Sequence, residues 1–295
     1  MRNVRMVRHS PHCPAGRPKA AELPDEPLRF PLPDRAPESG RGAHRTPSAE
    51  VPEPVSRTAP RPLPGLSFRQ EWHDLLFVHW AVSPGAVAGF FPPGTRPDTF
   101  DGRTFVGLVF FEMRELAFAR GPALPVLGRF PEINVRLYSV DGHGRRGVVF
   151  LSLDCPRLLP VLAARAAYRL PYHWASARRL RFDDRMLYTV RRRCPGGPRS
   201  RVWADVAGGR RDPDALDDFL TARWGLHAPE RGGTYFWPLW HDPWRLCEAA
   251  LLSLDDELVA AATGLPVARS APPVSVLYSA GLHVRFGARL PVRGS

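Results

Sequence analysis

Lysine is nearly absent from this 295-residue chain: of 41 basic residues only Lys19 is a lysine, and the other basic side chains are arginines. A domain that begins after Lys19 has no primary amine in its core to act as a nucleophile. Such an arginine-for-lysine skew reflects a GC-rich genome more often than a binding site. The formal charge of +12 divides into eleven basic against seven acidic residues in 1–65, with the remaining +8 spread over the rest. No block of basic side chains interleaves with aromatics as a stacking groove requires, so a nucleic-acid partner is disfavoured. Cysteine is also sparse. Cys13, Cys155, Cys194 and Cys247 show no paired spacing and no accompanying histidine pattern, which excludes a zinc motif and a disulfide framework and leaves reduced structural thiols. No metal or cofactor is expected. The amino terminus lacks an apolar leader segment, and no uncharged apolar run is long enough to span a bilayer, so a cytoplasmic protein without a membrane partner is expected. Phosphate-loop, dinucleotide, nucleophile-elbow and paired-histidine metalloprotease motifs are all missing.

What is present begins with a strong division of composition. Residues 1–65 carry 14 of the 34 prolines, few aromatics and no periodicity, the composition of a disordered tail that cannot bury enough surface to offset its ordering entropy. From Leu66 onward the chain is rich in Trp, Phe and branched aliphatics, enough for one sizeable domain over 66–295. The stretch Phe130–Tyr138 has the clearest pattern. Glu132, Asn134, Arg136 and Tyr138 alternate with Ile133, Val135 and Leu137, the period of a strand with one polar and one aliphatic face. Asp141-Gly142-His143-Gly144 then turns the chain into Val148–Leu153, and the two segments form a hairpin.

Further strands are expected over 104–111, 177–182, 186–193, 201–206, 249–254 and 274–286. Ser83-Pro84 is read as the N-cap and first residue of a short helix, Asp154 and Pro156 as the start of a helix through Ala166, and Asp212-Pro213 as the cap of another carrying Leu216, Phe219 and Leu220. A last helix spans about 255–263 and ends at Gly264. Strands predominate, which predicts an α+β fold with a large, mostly antiparallel sheet closed or half closed on itself. Arg191-Arg192-Arg193 alternates across its strand and is expected to mark a solvated edge.

Seven ordered motifs carry a resemblance: Phe77-x-His79-Trp80-x-Val82-x-Pro84, Phe91-Pro92-Pro93-Gly94, Thr99-Phe100-Asp101-Gly102, Val106-Gly107-Leu108-Val109-x-Phe111-x-Met113, Phe130-Pro131-Glu132-x-Asn134-Val135-Arg136-x-Tyr138, Leu170-Pro171-Tyr172 and His241-x-Pro243-Trp244. Over about 66–290 the chain resembles the YqjF-like family, domain of unknown function 2071, which is grouped by fold with acetoacetate decarboxylase. The resemblance implies a partly closed β-barrel with a central cavity and a few peripheral helices. It carries over no activity. In the decarboxylases a lysine after Gly-x-Pro forms an imine with a β-keto acid, and a second lysine depresses its pKa. Here the comparable place reads Leu170-Pro171-Tyr172-His173, and with no lysine in the domain that reaction is excluded. Glu132 stands where the resemblance puts a cavity glutamate.

The candidate ligand-binding residues are therefore Glu132, Asn134, Arg136, Tyr138, Tyr172 and His173. In the functional reading Arg136 fixes an anion, Glu132 is the candidate catalytic acid/base, and Tyr172 or His173 donates or relays a proton. In the plainer reading Glu132 and Arg136 form a charged pair inside a hydrogen-bond network that satisfies a polar interior and binds nothing. His79-Trp80 is read as packing, His241–Trp244 as a rigid aromatic turn or cavity lip, and Asp183-Asp184 and Asp255-Asp256 as turn and helix-start residues. Three functions follow: a barrel that binds a small anionic organic molecule; a lysine-independent enzyme on a keto-acid-like substrate; and a solid interaction or structural protein. Homo-oligomerisation is left open by the sequence.

Overall fold

The computed structural model describes residues 51–124 and 128–292; Lys19, Cys13 and most of the expected tail lie outside the described residues. Residues 51–65, assigned to that tail on composition, run extended along the domain. Glu53 N–H donates to the Gly144 carbonyl (3.0 Å), its carboxylate accepts from Arg146 N–H (3.0 Å), and Trp224 Nε1 donates to the Ser56 carbonyl (2.9 Å).

Strands dominate, in the order β1 (Phe68–Val82), β2 (Thr95–Pro97), β3 (Thr104–Phe118), β4 (Phe130–Asp141), β5 (Arg146–Cys155), β6 (Tyr172–Phe182), β7 (Arg185–Arg192), β8 (Arg199–Asp205), β9 (Gly225–Glu230), β10 (Gly233–His241), β11 (Cys247–Glu248), β12 (Ala250–Asp256), β13 (Ser275–Phe286) and β14 (Leu290–Pro291). The helices are short: α1 (Pro84–Val87), α2 (Leu158–Tyr168), α3 (Ala215–Thr221), α4 (Leu258–Thr263) and α5 (Val267–Ser270). None of the described helices is long and apolar enough to cross a membrane. The α+β class read from the sequence is the one observed.

Pairing runs β5-β9-β10-β13-β1-β3-β4, and β4 pairs back to β5, closing a ring. The ring is irregular. Only Val148 and Leu226 join β5 to β9, and β10 meets β13 over three residue pairs, whereas β1 lies beside β3 and β13 along most of its length. From β5 a second layer, β6-β7-β8-β12, extends away and packs its inner face, Ala175, Met186, Tyr188, Val202 and Ala204, on the aliphatic face of β4. That packing explains why Ile133, Val135 and Leu137 are fully buried: they face the second layer, so their alternating neighbours must face the ring.

β1 changes parity midway. At Asp74, whose φ is 53°, the pairing with β3 slips, leaving a bulge. The Asp74 carboxylate holds this kink by accepting from Arg181 Nη1 and Tyr278 Oη, both at 2.8 Å, while its carbonyl accepts from Tyr188 Oη (2.8 Å).

Several local expectations need correction. β7 lies between β6 and β8 and is not an edge; Arg192 turns inward to grip the buried Asp154 with two bonds (2.7 and 3.0 Å). The cap of α3 is Asp214, which forms a reciprocal capping box with Asp217, two residues past the expected position. Ser83 does precede a helix with proline at its start, but its hydroxyl makes no capping bond. Gly264 ends α4 as expected, in the left-handed conformation that glycine adopts without strain.

Candidate functional site

The inward row of β4 lines a cavity of about 100 Å³ inside the ring. Glu132, Asn134 and Arg136 are 2%, 3% and 9% exposed. Facing them is a wall that includes Phe77, Val109, Phe111, Phe150, Leu153 and Phe286. The space is larger than a single water needs, at roughly 30 Å³ per water, and smaller than most small-molecule pockets.

Tyr172, at the start of β6, reaches this cavity and donates its hydroxyl proton to Glu132 Oε2 at 2.8 Å. Burial pushes the Glu132 carboxyl from the ordinary 4.5 up to about 7; hydrogen bonds from Tyr172 and Asn134 oppose the rise, and the charge of Asp154 adds to it. The Tyr172 phenol is raised well above its usual value by burial and by Glu132, and so remains a donor. A carboxyl that binds its proton more tightly when folded favours the folded state below pH 4.5, and that advantage is lost as pH rises through about 7. The span corresponds to roughly 3 kcal/mol. The Glu132→Gln variant lacks this titration. Its stability relative to the parent should rise by about that amount between pH 5 and pH 8 in chemical denaturation, and parallel curves would show that Glu132 does not titrate in this window.

Arg136 lies over the rings of Phe77 and Tyr138, 5.5 and 5.6 Å from their centroids. Its Nη2 makes long hydrogen bonds to Tyr138 Oη (3.3 Å) and the Leu220 carbonyl (3.4 Å), and its Nε has no partner. Among the described residues no carboxylate lies within ion-pair distance of it. The charged pair expected between Glu132 and Arg136 is therefore not formed. Four residues along a strand put their Cα atoms about 13 Å apart, a separation at which each side chain takes its own partners. Space for the guanidinium stem comes from Gly107 on β3, where a Cβ would stand 3.2 Å from Arg136 Cγ and His79 Cδ2.

Tyr138 is buried behind the cavity rather than lining it. Its hydroxyl donates to the Leu220 carbonyl (3.1 Å) and shares a 2.7 Å hydrogen bond with His79 Nε2. Burial first, then Arg136 and Arg223, hold the His79 imidazole well below its usual pKa, so it stays neutral. His173 is not brought in either. It follows Tyr172 on β6 and so faces the opposite side, where burial, with Arg192 and Arg165, lowers it to about 4. Sequence reasoning missed Gln70 and Trp72 of β1, which line the cavity; the Trp72 Nε1 and Asn134 Oδ1 atoms are buried without partners. Their signal was the alternation Phe68, Gln70, Trp72. Trp244, from the expected aromatic turn, stacks on Trp72 with centroids 6.2 Å apart and meets the Phe77 ring edge-on at 5.3 Å. No group of three or more His, Cys, Asp or Glu side chains suited to a metal forms among the described residues.

Residues 69–283 match the family DUF2071, described as an uncharacterized conserved protein (COG2071). The protein YqjF of Bacillus subtilis strain 168, itself described as uncharacterized, is 30% identical over 211 residues, covering 69% of this chain and 84% of its own. Among solved structures, acetoacetate decarboxylase from Legionella pneumophila superposes with a TM-score of 0.52 at 13% identity, over 79% of this chain and 90% of that one. An acetoacetate decarboxylase-like enzyme from Sphingomonas wittichii RW1 gives 0.51 at 15% identity, over 79% and 97%. These likenesses establish the fold as decarboxylase-like.

Proposed function

Because the chain belongs to the DUF2071 family and has the fold of the acetoacetate decarboxylases, we propose that it binds a small anionic organic molecule in the ring cavity without forming an imine. Arg136 carries this reading. A buried guanidinium with an unpartnered Nε and, among the described residues, no carboxylate beside it is costly to the fold, and it lines the same cavity as the polar row of β4. An incoming anion supplies the missing charge and acceptor. The absence of lysine from the domain removes the imine route.

Glu132 tunes the affinity. The groups around it are Tyr172 on β6, Asn134 on β4, and Asp154 and Cys155 on β5, with Asp154 held by Arg192. Below about pH 7 its carboxyl is neutral; above, it places a negative charge in the cavity. Titration calorimetry of the full chain with acetate should show binding at pH 6 that weakens roughly tenfold by pH 8, the effect of one pKa unit of coupling. No heat at either pH, for acetate or for inorganic phosphate, would remove the reading.

A second reading, turnover of a keto-acid-like substrate with Glu132 as acid/base, rests on the position of that carboxyl: poised near neutrality, bonded to Tyr172 and in the same cavity as Arg136. It requires the Glu132→Gln variant to keep its ligand and lose turnover.

A further inference from the structure

We propose that the ligand is a short hydroxy monocarboxylate, held with its carboxylate on Arg136 and its hydroxyl between Asn134 and Trp72; this rests on the reading of the cavity as an anion site. Three buried polar atoms on residues that line the cavity have no partner: Arg136 Nε and Trp72 Nε1, both donors, and Asn134 Oδ1, an acceptor. Of the Asn134 amide it is the oxygen that is left without a partner.

Each orphan specifies a complementary group. Arg136 asks for an anionic acceptor. Asn134 and Trp72 together ask for a group that donates to one and accepts from the other, and a hydroxyl is the smallest group that does both. Asn134 and Arg136 are alternate residues of β4, so their Cα atoms are about 7 Å apart, a distance spanned by a carboxylate and a hydroxyl on neighbouring carbons once the side chains are extended. An apolar cavity of about 150 Å³ takes benzene, so the space here suits about four to six non-hydrogen atoms, the size of glycolate or lactate. The hydrocarbon edge of such an acid meets Phe77, Val109, Phe111 and Leu153. A second carboxylate would be buried against the apolar wall and the neutral Glu132 carboxyl, where among the described residues no second cation lines the cavity, so dicarboxylates are disfavoured by desolvation.

The test is calorimetry of the full chain at pH 6 with lactate, propionate and malonate. Lactate should bind about tenfold more tightly than propionate, the return on serving polar groups that propionate leaves unserved, and malonate should bind at least about tenfold more weakly. Asn134→Leu and Trp72→Phe, each checked for an intact melting transition, should bring the lactate-to-propionate ratio close to unity. Equal affinity for lactate and propionate, or a preference that survives both variants, overturns the proposal: water, not a ligand hydroxyl, then serves Asn134 and Trp72. If the acids bind through Arg136 without that preference, only the hydroxyl assignment falls. If none of the three binds and Arg136→Met changes nothing, the anion-site reading falls with it.

Discussion

Replacing Arg136 by methionine should weaken carboxylate binding by at least about a hundredfold and leave the protein as stable as before, or more stable. The two halves of this result come from the same geometry. In the folded chain the guanidinium is 9% exposed, its hydrogen bonds are the long contacts at 3.3 and 3.4 Å, and it has no ion-pair partner among the described residues. Its charge is desolvated with only these long hydrogen bonds and the faces of Phe77 and Tyr138 to offset it, and an unpaired buried charge costs the fold several kcal/mol in the general case. Methionine fills a similar unbranched volume between Phe77 and Tyr138 and carries no charge. The Tyr138 hydroxyl keeps His79 and the Leu220 carbonyl, so no new orphan appears there. Titration calorimetry measures the first half and urea denaturation the second. A variant that binds normally, or one that loses several kcal/mol of stability, would make Arg136 a structural residue.

The opposite behaviour is expected at Asp98, on the loop between β2 and β3. Asp98→Ala should destabilise the protein by about 3–5 kcal/mol, the usual result of stripping one partner from a buried ion pair. Asp98 is 2% exposed and accepts from Arg146 Nη1 at 2.6 and 2.7 Å and from Arg223, whose side chain is 4% exposed. Arg223 follows α3, donates its Nε to the Phe219 carbonyl (2.7 Å), and lies 4.9 Å from the Tyr138 centroid. Burial lowers its pKa and Asp98 restores part of it. Without Asp98, Arg223 becomes, like Arg136, a buried guanidinium near the Tyr138 ring with no carboxylate beside it among the described residues. The double variant Asp98→Ala with Arg223→Met should recover much of the loss in urea denaturation, because the charge that Asp98 neutralised is then gone. If the double variant is no better than the single, the damage comes from the loop and not from the buried charge.

The contrast shows what the sequence could convey. The β4 face was legible because strict alternation over nine residues has one physical reading, and the hairpin followed from its glycine-rich turn. The missing lysine was legible as chemistry. The expected partnership of Glu132 with Arg136 was not, since a spacing of four makes neighbours on a helix but not on a strand. His173 was drawn in by adjacency to Tyr172, which in a strand places it on the other face. Asp98 gave no signal at all: its arginines stand 48 and 125 positions away in sequence. Trp72 was hidden by the bulge, because inward-facing Phe68, Gln70 and Trp72 are followed by inward-facing Leu75 and Phe77, and no single period covers both sets.

The kink at Asp74 therefore has a bearing on how this cavity is inherited. Even-numbered residues of β1 line it before the kink and odd-numbered ones after it. Loss of one residue here would turn half of this wall inside out while leaving composition almost untouched. Two relatives aligned through this strand share the cavity only if both carry the extra residue, and an alignment that slides a gap past position 74 would match a lining side chain to an outward one.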